Sequence, residues 1–439
     1  MSRTGVSDPA GHCPVTGGAR SPLEGASLTE PRNIAHPHEF YRRMRTLDPV
    51  YFDEKLGMYL VSRYEDIWTV LKDPVTFSFK KGYEDTYANG HFEEFRRLLE
   101  RDGQGFFPDV IMEDPPAHTR VRRLTEKAFT AHRVATLEPR ISEIAVDLIE
   151  GMVRRSEEGE VVDGVTDFAA SFTIKVICEQ LGIRHFQSEN IQRWSLAYVA
   201  QISRMQDREM MIENARQVCE LQNFIIKEMK AREQEPREDM ISDIVHAQLE
   251  DGTTLTFKEA VSIIRALIIG GNETTATALS NLLLLLATRP EIAARLRISA
   301  DDDRQLTRFV EELLRLAPPS RALSRTTTRE VELGGKRMPK GTQMLLVFES
   351  GNDDETEFAC PREFDPERKN LAKHVSFGGG VHRCIGSSLA RMEIKVAARE
   401  LARRVGDIRL TIPPEEVQYL QTVATHSIKA LPLRAFRRS

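Results

Sequence analysis

The stretch that decides the fold is residues 377–386, Phe-Gly-Gly-Gly-Val-His-Arg-Cys-Ile-Gly, which runs directly into a helical pattern. Its three consecutive glycines remove side-chain bulk just before a cysteine, so the loop can adopt left-handed backbone conformations and lie against a large flat ligand. Cys384 stands beside Arg383 at the N-terminal side of a helix, where amide donors and positive charge favour the thiolate, a strong soft ligand for iron. The alternative from the residues alone is a buried free cysteine that acts as a small hydrophobe.

The whole segment resembles the haem-binding loop of the cytochrome P-450 family, Phe-Gly-x-Gly-x-His/Arg-x-Cys-x-Gly, at every defined position. A pattern of this length has few accidental matches. The resemblance implies that Cys384 is the axial ligand of the iron in haem b, that Phe377 packs beside the sulfur, that Gly378 belongs to the cofactor loop and that His382 reaches a haem propionate.

The resemblance also implies a mainly α fold, in which one large helical domain with small β-sheets has a long central helix crossing over the haem. We expect residues 31–439 to form this single haem-thiolate monooxygenase domain. Residues 1–30 are polar and rich in small residues, and are expected to be a flexible N-terminal tail.

Composition and charge exclude several other classes of protein. With 41% hydrophobic residues in 439, the chain can bury a large core, and its net charge of −5 argues against a nucleic-acid partner. The most apolar stretch, 263–286, is interrupted by polar residues, and the N-terminus lacks the apolar region of a signal peptide. The five cysteines form neither a zinc spacing nor an even framework, as is typical of a reducing compartment. We therefore predict a cytoplasmic monomer with no membrane segment.

A second motif lies in the middle of a long helical pattern. Thr256-Phe257-Lys258-Glu259 has the sequence of a capping box, and helix-compatible residues continue to Thr288, just before Pro290. Within it, residues 270–275 read Gly-Gly-Asn-Glu-Thr-Thr, which weakens the helix and places polar groups among apolar neighbours. A kinked core helix and a widened turn that admits a small molecule both explain this pattern.

Residues 270–275 look like the family's oxygen-activation segment, (Ala/Gly)-Gly-x-(Asp/Glu)-Thr-(Thr/Ser). The resemblance implies that Glu273 and Thr274 are the catalytic proton-delivery pair and that Gly270 leaves room for dioxygen. It favours the widened turn over the kinked core helix.

His118 and Arg122 are four residues apart in a helical pattern and so share one face. The residues alone indicate a solvated basic face, but the segment is similar to the family's His-x-x-x-Arg, whose two cations hold haem propionates. Arg325 matches the position of a further propionate-binding arginine. The other cations of the segment either form a docking patch for an acidic electron carrier or are an ordinary charged surface: Arg120, Arg123 and Lys127.

Glu312 and Arg315 are three residues apart, and such a pair is usually a weak surface contact. Here it resembles the family's Glu-x-x-Arg, completed by Arg368, which implies a buried structural network that supports the cysteine loop. Residues 76–109 show poor periodicity and several glycines, and by analogy they are the variable substrate-recognition loop. The expected substrate pocket consists of nine mostly apolar residues: Phe106, Phe107, Val110, Ile111, Ala266, Ile269, Ser320, Ala322 and Leu323.

The predicted function is a haem-dependent monooxygenase that hydroxylates a small hydrophobic substrate with dioxygen. Electrons are expected from a ferredoxin and its NAD(P)H-dependent reductase, since no flavin or nicotinamide domain fits in this length. Residues 350–354 look closer to the camphor-hydroxylating branch, which favours a terpenoid, whereas residues 326–328 look more like members that act on aromatic acids. The rival readings are a peroxide-driven peroxygenase, which usually lacks the acid–threonine pair, and a non-enzymatic haem-based sensor or carrier.

Overall fold

The structure is a computed structural model that describes residues 21–126, 134–248 and 252–438. Helices dominate it, and three small sheets lie at the edges of the helical body. The helices of these ranges are α1 Pro31–Ala35, α2 His38–Leu47, α3 Tyr64–Lys72, α4 Phe79–Thr86, α5 Phe92–Asp102, α6 Ala117–Glu126, α7 Glu138–Glu157, α8 Ser171–Gln180, α9 Ser188–Gln201, α10 Arg208–Gln234, α11 Met240–Val245, α12 Phe257–Thr288, α13 Pro290–Ser299, α14 Asp303–Leu316, α15 Phe348–Gly351 and α16 Ser387–Arg404, with a π-helix at Gly164–Ala170.

The strands of the described ranges are β1 Val50–Asp53, β2 Met58–Val61, β3 Phe77–Ser78, β4 Val162–Asp163, β5 Ala322–Thr327, β6 Val331–Leu333, β7 Lys336–Met338, β8 Gln343–Val347, β9 Val405–Leu410 and β10 Pro432–Arg437. The largest sheet has five strands in the order β1-β2-β8-β5-β3. The predicted hairpin around Gly57 forms its edge, with φ of +65° at that glycine. The second sheet has the order β4-β10-β9, and β6 and β7 form a separate pair.

The predicted long helix is α12, whose 32 residues span about 48 Å. The capping box at its start is confirmed: the Thr256 hydroxyl accepts from the Glu259 amide, and the Glu259 carboxylate accepts from the Thr256 amide at 2.8 Å. Helices α8, α9, α10 and α16 pack around α12, which is buried along most of its length. This position makes α12 the centre of the helical core.

The expected widened turn is absent, because α12 is a continuous α-helix through Gly270 and Gly271. Open space arises there for a different reason. A Cβ on Gly270 would meet no atom within 4 Å, whereas one on Gly271 would lie 3.0 Å from the Ile177 side chain. Gly270 thus leaves a gap on one side of an unbroken helix, and Gly271 allows α8 to pack closely on another.

Two further expectations differ from the structure. In the expected N-terminal tail, residues 21–30 are packed: Leu23 and Leu28 are buried, and the Ser27 hydroxyl donates to the Asp53 carboxylate at 2.8 Å. The remaining residues of that tail, 1–20, lie outside the described ranges. The expected loop 76–109 contains helices α4 and α5, because Phe95 and Leu99 give α5 a buried apolar face.

Within the ranges described, no helix has a stretch of 18 residues apolar enough to cross a membrane.

Candidate active site

A cavity of about 330 Å³ lies between the middle of α12 and the loop 377–386, which we call the cysteine loop. Its volume is within the range of small-molecule and cofactor sites. Its walls include residues of the cysteine loop, of helices α3, α4, α6, α8, α12, α15 and α16, and of β5 with the residues just before it. The lining includes Leu71, Phe79, Ile111, Met112, His118, Val121, Arg122, Thr125, Ile177, Ala266, Leu267, Gly270, Gly271, Thr274, Thr275, Pro319, Ser320, Leu323, Arg325, Phe348, Phe377, Gly378, His382, Arg383, Cys384, Leu389 and Glu393.

Backbone hydrogen bonds fold the cysteine loop into a tight turn that ends at α16. The Cys384 amide donates to the Phe377 carbonyl at 2.9 Å, and the Gly378 amide donates to the Val375 carbonyl at 2.8 Å. Gly378 and Gly380 both have φ of +63°, a backbone conformation that is strained for any residue with a side chain. The loop therefore needs its glycines to present Cys384 to the cavity.

The sequence predicts that the Cys384 thiol ionises readily, but its surroundings in the structure favour the neutral form. Burial raises the pKa of Cys384, and the Gly386 amide and the charges of Arg122 and Arg391 only partly oppose that effect. The surface that Cys384 exposes lines the cavity. In the protein alone the neutral thiol is therefore favoured, and a bound metal ion would supply the positive charge that removes its proton.

Four basic side chains converge on one wall of the cavity: His118, Arg122, Arg325 and His382. The rings of His118 and His382 are 4.2 Å apart, centre to centre. Arg325 is buried, with its guanidinium 4.1 Å from the Phe79 ring centre. Helix α6, strand β5 and the cysteine loop thus bring the predicted propionate-binding residues together.

The two histidines of this wall lack hydrogen-bond partners among the described residues. Within the described ranges, Nδ1 of His118 and both ring nitrogens of His382 are buried without a hydrogen-bond partner. Burial lowers the pKa of His118, and burial together with the charge of Arg325 lowers the pKa of His382 to about 3. Burial also lowers the pKa of Arg325 to about 10. Unpartnered buried donors of this kind fit an anionic ligand, and the two propionates of a haem have the required charge.

Arg122 is partly engaged by the protein. It donates to the Glu126 carboxylate at 2.7 Å and to the Arg383 carbonyl at 2.5 Å, while still lining the cavity. Arg120, for which a docking patch and an ordinary charged surface were both open, forms an ion pair with Glu259 at the start of α12. Lys127 lies outside the described residues.

The predicted acid and alcohol of α12 point in different directions. Thr274 lines the cavity, and its hydroxyl donates to the Gly270 carbonyl at 3.0 Å, one turn earlier. Glu273 is buried, and its carboxylate accepts from the Ser427 hydroxyl at 2.9 Å, away from the cavity lining. Burial raises the pKa of Glu273, and the Ser427 hydrogen bond lowers it in part.

Of the nine expected pocket residues, four line the cavity: Ile111, Ala266, Ser320 and Leu323. The other five pack elsewhere. The Phe106 ring makes an edge-to-face contact with Phe92, 5.4 Å between ring centres, and Phe107 lies against Phe257 in the same way. The buried Val110, Ile269 and Ala322 belong to the hydrophobic core. Helix α5 draws Phe106 inward, a packing that the predicted loop could not anticipate.

The structural network has the expected members. The Glu312 carboxylate accepts from Arg315 at 2.7 and 2.8 Å and from Arg368 at 3.0 Å. Arg315 also donates to the Asn352 carbonyl, and the Asn352 side chain accepts from the Val375 amide two residues before the cysteine loop. The network therefore ties α14 to the segment that leads into the loop.

Sequence reasoning missed several side chains of the site. The Phe377 ring is covered by Arg391, whose guanidinium lies 4.3 Å from the ring centre and pairs with Glu311. Glu393 lines the cavity, and burial raises its pKa well above the usual range. The pattern offered one signal for Glu393: it stands one turn after Leu389 on the buried face of α16.

Comparison with known proteins identifies the class. The cytochrome P-450 family model matches residues 58–404, most of the chain. This chain therefore belongs to the cytochrome P-450 family, whose cofactor is haem b, and it is a monooxygenase.

Its individual relatives include bacterial enzymes. The 6-deoxyerythronolide B hydroxylase of Saccharopolyspora erythraea is 31% identical over 397 residues, 90% of this chain and 95% of that protein. The structure of cytochrome P-450 CYP109Q5 from Chondromyces apiculatus has a TM-score of 0.79 and 32% identity, covering 94% and 99% of the two chains. Cytochrome P-450 CREJ in complex with (4-ethylphenyl) dihydrogen phosphate has a TM-score of 0.85 and 27% identity, covering 92% and 98%.

Proposed function

We propose that this monooxygenase holds haem b through Cys384 and hydroxylates a neutral hydrophobic substrate, a small terpenoid or aromatic compound. The observation that carries the proposal is the arrangement of one cavity: a cysteine thiol on one side, the Gly270 gap of α12 on the other, and unpartnered basic groups at the edge. Bound haem b would supply the activation of dioxygen, with the thiolate donating the electron density that favours O–O cleavage.

His118, Arg122, Arg325 and His382 would hold the propionates, because an anion there is attracted by the two guanidinium groups and pairs histidine nitrogens that have no partner in the described protein. The Thr274 hydroxyl would hold and pass on protons at the cavity, since it lies beside the Gly270 gap. Glu273 would supply those protons as a general acid, for which a raised pKa is suitable. The presence of this pair supports dioxygen chemistry over a peroxide-driven reaction or a haem sensor.

The substrate side of the cavity supports a neutral apolar ligand. Ile111, Met112, Ala266 and Leu323 line it, and Ser320 adds a hydroxyl. Two arginines lie near this region in sequence, but both are buried in ion pairs.

The guanidinium of Arg265 lies 2.5 Å from the Asp109 carboxylate, and that of Arg321 lies 3.4 Å from the Glu349 carboxylate. Neither is therefore available to bind an acidic substrate.

A spectroscopic titration tests the substrate class. Purified holoenzyme is titrated with terpenoids, alkylbenzenes, aromatic acids, an aromatic phosphate and a macrolide, while the haem Soret band reports the low-spin to high-spin shift. We expect the neutral terpenoids or alkylbenzenes to give the tightest response. Ala266→Phe should weaken it, whereas the matched control Ala278→Val, in the buried part of α12 away from the cavity lining, should not.

A response confined to the macrolide would contradict the proposal of a small substrate and favour a large one. The name of the relative 6-deoxyerythronolide B hydroxylase is the reason to include this compound. A response confined to the acids or the phosphate would contradict the neutral pocket. The CREJ complex, which contains an aromatic phosphate, makes that arm of the titration necessary.

We also propose that electrons come from a ferredoxin and its NAD(P)H-dependent reductase in the cytoplasm. Arg383 is exposed beside Cys384 on the cysteine loop, and Arg123 is exposed on α6, so a basic surface lies near the thiolate. Such a surface favours an acidic electron carrier. The four described cysteines are all free thiols, which fits a reducing compartment.

A further inference from the structure

The acid of α12 is held by a residue far away in sequence. Within the described ranges, the Ser427 hydroxyl is the one hydrogen-bond donor to the Glu273 carboxylate, at 2.9 Å. The two residues are 4% and 6% exposed, so water has little access to the pair. No cation contributes to the pKa of Glu273, which burial raises. Ser427 therefore provides the main polar contact of this carboxyl group.

Ser427 is itself fixed by two further hydroxyl groups. The Oγ1 atom of Thr425 lies 2.8 Å from the Ser427 Oγ atom, and that of Thr277 lies 2.7 Å from it. Thr277 is one turn after Glu273 on α12, and its hydroxyl also donates to the Glu273 carbonyl at 2.9 Å. Three hydroxyls thus form a cluster on this side of α12, and Ser427 is the member that contacts the carboxyl group.

The segment 425–427 is in turn anchored to the cavity wall. Thr425 pairs with Ser320 in a β-bridge, and the His426 amide donates to the Pro319 carbonyl at 3.1 Å. The His426 ring lies 2.7 Å from the Glu349 carboxylate. Pro319 and Ser320 line the cavity, so the residue that holds Glu273 is attached to the same wall that contacts substrate.

We propose that Ser427 is a positioning residue for proton delivery, which holds Glu273 turned away from the cavity until turnover requires it. This inference rests on the proposed role of Glu273. Thr274, one residue later, lines the cavity, whereas Glu273 does not. Glu273 must therefore give up its bond to Ser427 before it can serve the cavity side.

The Ser427 bond also sets how readily Glu273 holds its proton. A hydroxyl that donates to a carboxylate stabilises the charged form, so its removal raises the pKa of Glu273 further. A hydrogen bond of this kind is worth about a fivefold change in a two-state population. Ser427→Ala should therefore favour the released, protonated carboxyl group by about that factor.

Infrared spectroscopy of the holoenzyme tests the bond directly. The carbonyl band of the protonated Glu273 carboxyl is assigned by its loss in Glu273→Gln, and its disappearance is followed as pH rises. We expect Ser427→Ala to move the band to the position of a more weakly hydrogen-bonded carboxyl and to raise its titration midpoint. Ser427→Thr should restore both values. Ser280→Ala, which removes a buried hydroxyl from the same helix, should change neither.

Kinetics separate positioning from a structural role. Ser427→Ala should move the alkaline limb of the kcat profile to higher pH and leave the substrate KM unchanged. It should have no effect in the Glu273→Gln background. An unchanged band and midpoint, or an unmoved kcat profile, would overturn the proposal, as would an equal effect of Ser427→Ala in both backgrounds.

The two proposals fail differently. If Glu273→Gln hydroxylates substrate as fast as the wild type, the proposed proton-delivery role of Glu273 fails, and the positioning role of Ser427 fails with it. If hydroxylation is intact but indifferent to Ser427, only the positioning role fails.

Discussion

Replacement of Glu312 by glutamine removes the one negative charge at the centre of the buried network. Glu312 and Arg315 are both fully buried, and the carboxylate accepts from Arg315, from Arg368 and from the Asp365 amide at 2.9 Å. Glutamine keeps the size of the side chain but leaves two guanidinium groups without a counter-charge. It also places an amide donor beside the donors of both arginines.

Removal of one partner from a buried ion pair typically costs about 3–5 kcal/mol, because the remaining charge stays desolvated. Since domains are stable by about 5–15 kcal/mol, Glu312→Gln should lose a large part of the free energy of unfolding. Urea denaturation of holoenzyme, followed by far-UV circular dichroism, measures this loss. The haem Soret band should report release of the cofactor at lower urea than in the wild type, because the network supports the segment before the cysteine loop.

Glu39→Gln is the matched control. Glu39 and Arg42 form an ion pair of the same i,i+3 spacing at 2.8 Å, but both side chains are more than half exposed. The midpoint should not change measurably, since water solvates both groups after the substitution. A loss below about 1 kcal/mol for Glu312→Gln would refute the reasoning, because such a value is typical of an exposed pair.

Three further predictions concern pH, coupling and electron supply. Burial raises the pKa of Glu311, but hydrogen bonds and charges from His374 and Arg391 outweigh burial and lower the pKa to about 2. The ionised carboxylate should therefore stabilise the fold by about 3 kcal/mol above pH 4.5, and this contribution should be lost as pH falls from 4.5 to 2. In acid denaturation, the free energy of unfolding of Glu311→Gln should depend less steeply on pH than that of the wild type. Thr274→Ala should keep the substrate-induced spin shift and NADH consumption, while hydrogen peroxide rises at the expense of product; unchanged coupling would remove the proton role of Thr274. Arg123→Gln should slow ferredoxin-driven reduction less at high salt than at low salt, because screening limits attraction between exposed charges to about 8 Å at physiological ionic strength. A reduction rate that does not depend on salt would place the docking surface elsewhere.

The sequence predicted those parts of the molecule in which local chemistry decides. The capping box of α12, the hairpin around Gly57 and the loop glycines each follow from short-range backbone requirements, and the structure contains them. The convergence of His118 and His382 was also predicted, but from the resemblance of their motifs to the family and not from the periodicity of the sequence.

The sequence could not predict features that depend on tertiary packing. The continuity of α12 through Gly270 depends on the helices packed around it, which override the weak helix propensity of two glycines. The pKa of Cys384 depends on burial that the neighbouring sequence does not reveal. The contact of Glu273 with Ser427 joins residues 154 positions apart, so no local pattern indicates it.

The most direct test of the account is the absorption spectrum of the reduced carbon-monoxide complex. If Cys384 is the axial ligand, the wild-type holoenzyme should have the red-shifted Soret band of a thiolate-ligated haem, and Cys384→His should move that band to the position of a histidine-ligated haem. Cys360→Ser, which changes an exposed cysteine outside the cavity lining, should leave it in place. An identical band in wild type and Cys384→His would contradict the central claim.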